Sequence, residues 1–197
     1  MAEQSLLRVH GVGEIPAEYA ARVLFCMNSA YDGLWMLDRL RSTGRTQIRK
    51  AIPMLRDYWA DTPLNLAFPA ARHSLELKRV ILRSPGFWEF LGALNPLETI
   101  RKFLTDRHER KKDDTYRNQA EAKKLHLENK VLEIKLVSET IDALRKASIP
   151  DDQIAAIIRD LVLIPTYQLE SLQDKQVITY ADMPKEKKSD VPEEVDA

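Results

Sequence analysis

The alternation of apolar and polar positions predicts two short β-strands. Within residues 5–12 (SLLRVHGV), Leu7 and Val9 alternate with polar side chains, which is the period of a half-buried strand. Residues 74–83 (SLELKRVILR) are also strand-like, but their apolar positions change phase halfway along. That change predicts either a β-bulge or a strand covered on both faces.

Apolar residues at spacings of three and four predict helices. The first runs from Pro16 to about Arg41. A much longer, charged and mostly continuous helix is predicted from about Asn95 to about Ser148, because Pro96 suits a first turn and no Pro or Gly follows within the segment. Residues 105–118 of this helix are almost wholly polar, so we expect them to stand in water.

The last third of the predicted long helix carries two apolar seams, each of which needs a neighbour. One seam comprises Leu127, Val131, Ile134 and Ile141. The other comprises Leu125, Leu132, Leu136 and Leu144. The two seams indicate packing partners on both sides of the helix.

These elements predict an α+β, predominantly helical protein with a small two- or three-stranded sheet. Residues 1–94 form the small α+β unit, and 95–148 form the long charged helix. Helices over 149–181 are expected to pack on that helix, and 182–197 are expected to form a disordered tail. Residues 45–72 contain three prolines and give no clear pattern.

Charge and cysteine content narrow the function classes. Thirty basic and thirty acidic residues give zero net charge, which argues against a generic nucleic-acid binder. The one cysteine, Cys26, cannot form an internal disulfide or a zinc site, and its apolar neighbours suggest a buried thiol. No apolar stretch approaches the roughly 18 residues that span a bilayer. We therefore expect a cytoplasmic protein.

No recognised catalytic or cofactor motif is present. The chain lacks the P-loop, dinucleotide, nucleophile-elbow and kinase signatures. Its four histidines are not at metal-ligand spacing. The sequence therefore predicts no catalytic, cofactor-binding or metal-binding residues, and no cofactor.

The most apolar short cluster contains Phe87, Trp88 and Phe90. Core packing below the second strand is one interpretation. The other is an exposed wedge that contacts a partner or a membrane surface, since exposed aromatic clusters mark interaction sites.

A strand, the turn Ser84-Pro85-Gly86, the aromatic stretch 87–92 (FWEFLG) and a charged helix follow one another in this chain. This order resembles uncharacterised bacterial proteins in which an α+β unit similar to the TRADD N-terminal type feeds a long helix. The sequence departs from that pattern at Arg83, where glycine is frequent, so no site residues are transferred. The resemblance implies at most an adaptor role in a bacterial defence or conflict system.

The leading hypothesis is a non-enzymatic protein-interaction or oligomerisation module, with a protein partner or a second copy of the chain. The alternative is a peripheral membrane-surface binder that uses the aromatic cluster. Neither hypothesis includes a specific nucleic acid or a small-molecule substrate. The predicted partner-binding residues are Leu127, Val131, Ile134, Ile141, Phe87, Trp88 and Phe90.

Overall fold

A computed structural model describes residues 3–42, 44, 48, 74–83, 85–113 and 137–184. Its one antiparallel sheet has the strand order β2-β3-β1-β4. The strands are β1 (Gln4–Gly11), β2 (Glu76–Ile81), β3 (Gly86–Ala93) and β4 (Ile178–Asp182). The predicted α+β class is confirmed, with a sheet of four strands in place of two or three.

The helices lie between these strands in the chain. They are α1 (Ala17–Ser42), α2 (Leu94–Asp113), α3 (Asp151–Ile158) and α4 (Ile164–Asp174), with a π-helical turn at Arg159–Leu163 and further helical residues at 137–146. The order β1-α1-β2-β3-α2-β4 with this sheet order is that of a split βαβ unit. The remaining helices are inserted between α2 and β4. A fold of this kind hosts many functions and indicates none by itself.

The strand predictions for β1 and β2 are confirmed. Leu7 and Val9 are fully buried against the helices, while the alternate residues of β1 face the opposite side of the sheet. The register between β2 and β3 shifts between Leu77 and Arg79, which is the predicted bulge. The bulge explains the change of apolar phase along β2.

Two apolar clusters form the core. The larger lies between the sheet and helices α1, α2 and α4, and includes Leu7, Val9, Val23, Met27, Tyr31, Trp88, Phe90, Leu97, Ile100, Leu104, Leu169 and Leu172. The smaller joins the end of α1 to the 137–146 helix, α3 and the π turn, and includes Leu37, Leu40, Leu144, Ala147, Ile154, Ile158 and Leu161.

The long helix predicted from about Asn95 to about Ser148 is described at its two ends, as α2 and as the helical residues 137–146, and residues 114–136 lie outside the described part of the chain. Thr99 and Val137 line the same small cavity, yet a straight α-helix would separate them by about 57 Å, which is 38 residues at 1.5 Å each. Leu144 packs in the smaller cluster with the end of α1. The second apolar seam therefore finds at least part of its neighbour within the same chain.

The expectation that residues 105–118 stand free in water is corrected for their described part. The Thr105 hydroxyl donates to the Ala181 carbonyl at 2.6 Å. The Arg107 guanidinium contacts both carboxylate oxygens of Asp174, at 2.9 and 3.1 Å. The charged end of α2 thus packs on β4 and α4, and 114–118 lie outside the described residues.

A helix-terminating motif at the end of α4 turns the chain towards β4. Gln176 has a φ of 58°, its N–H donates to the Gln173 carbonyl, and the N–H of Val177 donates to the Leu172 carbonyl, each at 3.0 Å. This is the Schellman pattern, which reverses the chain at a left-handed residue. The predicted tail begins at Asp182, which belongs to β4, and 185–197 lie outside the described residues.

Candidate interaction surface

The aromatic cluster lies in strand β3, and its two largest members point into the core. Trp88 is 1% exposed and Phe90 is 2% exposed. Phe87 is half-buried on the opposite face of the sheet. The prediction that these side chains form one exposed partner-binding or membrane wedge is therefore corrected, and the core-packing interpretation holds for Trp88 and Phe90.

The predicted partner-binding seam is described only at its end. Ile141 is half-buried and packs against the smaller core cluster. Leu127, Val131 and Ile134 lie outside the described residues, so their role stays a prediction. Ile141 and the aromatic cluster are on different elements and do not form one surface.

Charged side chains on the open face of the sheet are paired with one another. The carboxylate of Glu89 accepts from Arg8 Nε at 3.0 Å and Nη2 at 2.7 Å, and its other oxygen lies 3.3 Å from Arg79 Nε. The Arg8 guanidinium also lies 4.7 Å from the centroid of the Phe87 ring. These contacts satisfy a nearly buried carboxylate, which would be costly without partners. We interpret this group as structural.

A histidine–carboxylate pair links β1 to the edge strand β4. His10 Nε2 lies 3.1 Å from Asp182 Oδ2. The His10 ring stacks on Tyr180 with centroids 4.3 Å apart. The His108 ring is tilted against the same Tyr180 ring, with centroids 5.4 Å apart. The contact between His10 and Asp182 fastens the edge strand β4 to β1.

The largest exposed apolar side chains on neighbouring turns lie on the outer side of α4 and the π turn. Leu163 is 59% exposed, Ile164 is 46% exposed and Tyr167 is 72% exposed. We call these three residues the α4 patch. Residues four apart on a helix are neighbours, so the three side chains form one continuous surface. Clustered exposed apolar residues mark interaction sites.

The π turn results from a proline and sets the orientation of the α4 patch. Pro165 has no N–H to donate to the carbonyl of Leu161, and its ring would clash with that carbonyl in a regular α-helix. The Ile164 N–H donates instead to Arg159, five residues back. Leu161 and Pro165 are buried while Leu163 and Ile164 are exposed. The turn thus separates one inward and one outward apolar face.

Glycine at position 33 permits the close contact that holds the π turn on α1. A Cβ atom at Gly33 would lie 2.0 Å from the carbonyl oxygen of Leu161, well inside van der Waals contact. The absence of a side chain therefore allows the two backbones to touch. The inner side of the π turn is fixed against α1 and leaves the α4 patch outside.

Sequence reasoning missed the α4 patch, although a signal was present. Residues 161–164 (LVLI) are four consecutive apolar residues before a proline. A helical segment that is apolar on every side can bury only part of its circumference against one neighbour. The run therefore contains residues that need a second neighbour.

Asp32, next to Gly33 on α1, gives a testable pH dependence. Burial raises the pKa of its carboxyl from 3.8 to about 6, against a smaller opposing effect from the Asn28 amide, which donates to it at 2.7 Å. The folded state then binds the proton more tightly than the unfolded state, so the free energy of unfolding falls as pH rises from about 4 to 6. We expect Asp32→Asn to raise it by about 1–2 kcal/mol at pH 7.5.

Urea denaturation of both proteins at pH 4.5 and pH 7.5 measures this difference. The Asp32→Asn gain should shrink markedly at pH 4.5, where the native carboxyl is mostly protonated. An equal gain at both pH values would show that the substitution acts through packing and would refute the pH dependence assigned to Asp32.

The described part of the chain shows neither a metal-ligand cluster nor a membrane-spanning helix. No group of three or more His, Cys, Asp or Glu side chains there could hold a metal ion. None of the helices in those residues combines the length and apolar character needed to cross a bilayer. No family model, no curated protein and no solved structure matches the chain.

Proposed function

We propose that this chain is a non-enzymatic protein-interaction module that self-associates through the α4 patch. The observation that carries the proposal is the exposure of Leu163, Ile164 and Tyr167 on one side of a helix whose other side is buried. Single exposed apolar residues are ordinary on protein surfaces, but three large neighbours are not. Tyrosine is also enriched at protein interfaces.

Covering the α4 patch removes apolar surface from water. Full burial of a large apolar side chain contributes about 1.5–3 kcal/mol, so a side chain that is already half-covered contributes roughly 1 kcal/mol. A symmetric dimer covers the patch twice. The sum is modest against the cost of association, and we therefore expect reversible, concentration-dependent assembly.

A second copy of the chain is the occupant that the charges favour. The chain has zero net charge, so two copies do not repel one another at long range. Arg159 precedes the patch, is 62% exposed at its side chain and pairs with Asp160 at 2.7 Å, while Glu170 follows the patch, is 38% exposed and lies 3.8 Å from Arg107. A twofold arrangement with antiparallel α4 helices brings Arg159 of one copy towards Glu170 of the other.

The test compares two charge insertions at exposed apolar positions. Tyr167→Glu places a carboxylate in the α4 patch and should weaken self-association at least tenfold. Phe25→Glu is the matched control, because Phe25 is 46% exposed and belongs to a different helix, α1. Light scattering over a range of concentrations, with circular dichroism to confirm folding, measures both variants.

Loss of assembly in Tyr167→Glu with wild-type assembly in Phe25→Glu would support the proposal. Equal assembly of wild type and Tyr167→Glu would overturn it, and so would equal loss in the two variants. The adaptor role implied by the bacterial resemblance extends this proposal. An adaptor needs one surface for its own assembly and another for its target, and the α4 patch is proposed as the first.

A further inference from the structure

A small apolar cavity lies where the two core clusters meet, and we propose that it binds the end of a short, neutral aliphatic chain. Its volume is about 40 Å³. The walls come from α1, α2, the 137–146 helix, the π turn and α4. The lining residues include Ala30, Leu34, Thr99, Val137, Leu161 and Thr166.

The chemistry of the lining defines the class of ligand. No charged side chain is among the described residues that line the cavity, so an ionic group buried between them would lack a partner. The polar side chains are the hydroxyls of Thr99 and Thr166. The Thr99 hydroxyl donates to the Asn95 carbonyl at 3.0 Å and keeps lone pairs that accept a hydrogen bond. A neutral chain with one hydroxyl fits both features.

The size of the cavity limits the length of the chain. One water-sized position needs about 10–15 Å³ by this measure of volume, so 40 Å³ holds about three or four such positions. That is the space of three or four carbon atoms. An apolar space of this size accepts a small apolar group.

The surrounding backbone prevents the walls from collapsing inward. Gly33 and the Leu161 carbonyl are in direct contact, which fixes the distance between α1 and the π turn. Ala30 belongs to the larger core cluster and Leu161 to the smaller one. Each wall is thus held by its own cluster, and neither can move into the gap without losing contacts that it already makes.

Methyl-resolved NMR with two probes tests the site on the intact chain. We expect 1-butanol to cause saturable shifts at Val137, Leu161 and Leu169, with a dissociation constant of about 1–10 mM, the range set by its few heavy atoms. Butylammonium has the same chain length and a charge, and should bind at least tenfold more weakly. Shifts that do not saturate, or that are equally large at Leu7 in the sheet, would overturn the proposal.

Substitutions that fill the cavity test the proposed binding site independently. Ala30→Leu adds carbon to a buried wall residue and should weaken 1-butanol binding at least tenfold. Leu34→Phe fills the space from a half-buried position and replaces Ala30→Leu if that variant does not fold. A folded variant that binds 1-butanol as tightly as wild type would place the binding elsewhere and overturn the assignment.

Discussion

Gly33→Ala is expected to lower the free energy of unfolding by about 2–4 kcal/mol. The added Cβ would meet the Leu161 carbonyl oxygen at 2.0 Å, and a backbone atom cannot rotate away as a side chain can. Helix propensity alone favours alanine over glycine by about 1 kcal/mol. The expected sign is therefore opposite to the one that the local sequence of α1 predicts.

Gly44→Ala is the matched control, because no atom of the described residues lies within 4 Å of a Cβ at that position. Its free energy of unfolding should stay within about 0.5 kcal/mol of wild type. Urea denaturation with a common slope measures both variants. A Gly33→Ala protein as stable as wild type, or more stable, would contradict the close contact between α1 and the π turn.

Trp88→Ala is expected to lower the free energy of unfolding by about 3–5 kcal/mol, because it removes the largest fully buried side chain and leaves a cavity. Phe87→Ala should cost only about 1 kcal/mol, since that ring is half-buried on the open face of the sheet. The two neighbours thus report on the two faces of β3.

The same measurement separates core packing from an exposed aromatic wedge. Chemical denaturation followed by circular dichroism avoids reliance on tryptophan fluorescence, which the substitution changes. If Trp88→Ala and Phe87→Ala cost the same small amount, the side chains would be equally exposed and the assignment of β3 to the centre of the sheet would be wrong.

The sequence predicted those elements in which the spacing of apolar residues matches the residues that are buried in the structure. The alternation around Leu7 and Val9 predicted β1. The phase change near Leu77 predicted either a bulge in β2 or a strand covered on both faces, and the structure has the bulge. Strand β3 was not predicted from the sequence, because the residues on its open face are not all polar. Phe87 lies on that face beside Glu89, and the carboxylate of Glu89 is buried by arginines from both neighbouring strands. The usual alternation is therefore hidden.

No local signal in the sequence indicated that the two described ends of the predicted long helix lie close together. No proline or glycine occurs between Leu97 and Ser148, so propensity alone favours a helix throughout. The proximity comes from tertiary contacts, because Leu144 is buried in the same cluster as Leu37. The two apolar seams indicated that the helix needs packing neighbours. The spacing of apolar residues does not say whether such a neighbour comes from the same chain or from another copy.

The α4 patch could not be predicted from the spacing of apolar residues, also because tertiary contacts decide which side chains are buried. Leu161 and Leu163 are chemically identical side chains two residues apart, yet one is 1% exposed and the other 59% exposed. The difference comes from the contact with Gly33 and from the π turn that Pro165 imposes. Both are long-range or backbone effects that apolar periodicity does not encode.

Sedimentation equilibrium of the intact chain tests the proposed self-association most directly. Over about 5–500 µM, a range chosen for weak complexes, the average mass should rise from 22.7 kDa towards twice that value. Tyr167→Glu should remain at the monomer mass over the same range. A wild-type mass that stays at 22.7 kDa up to the highest concentration would contradict the account.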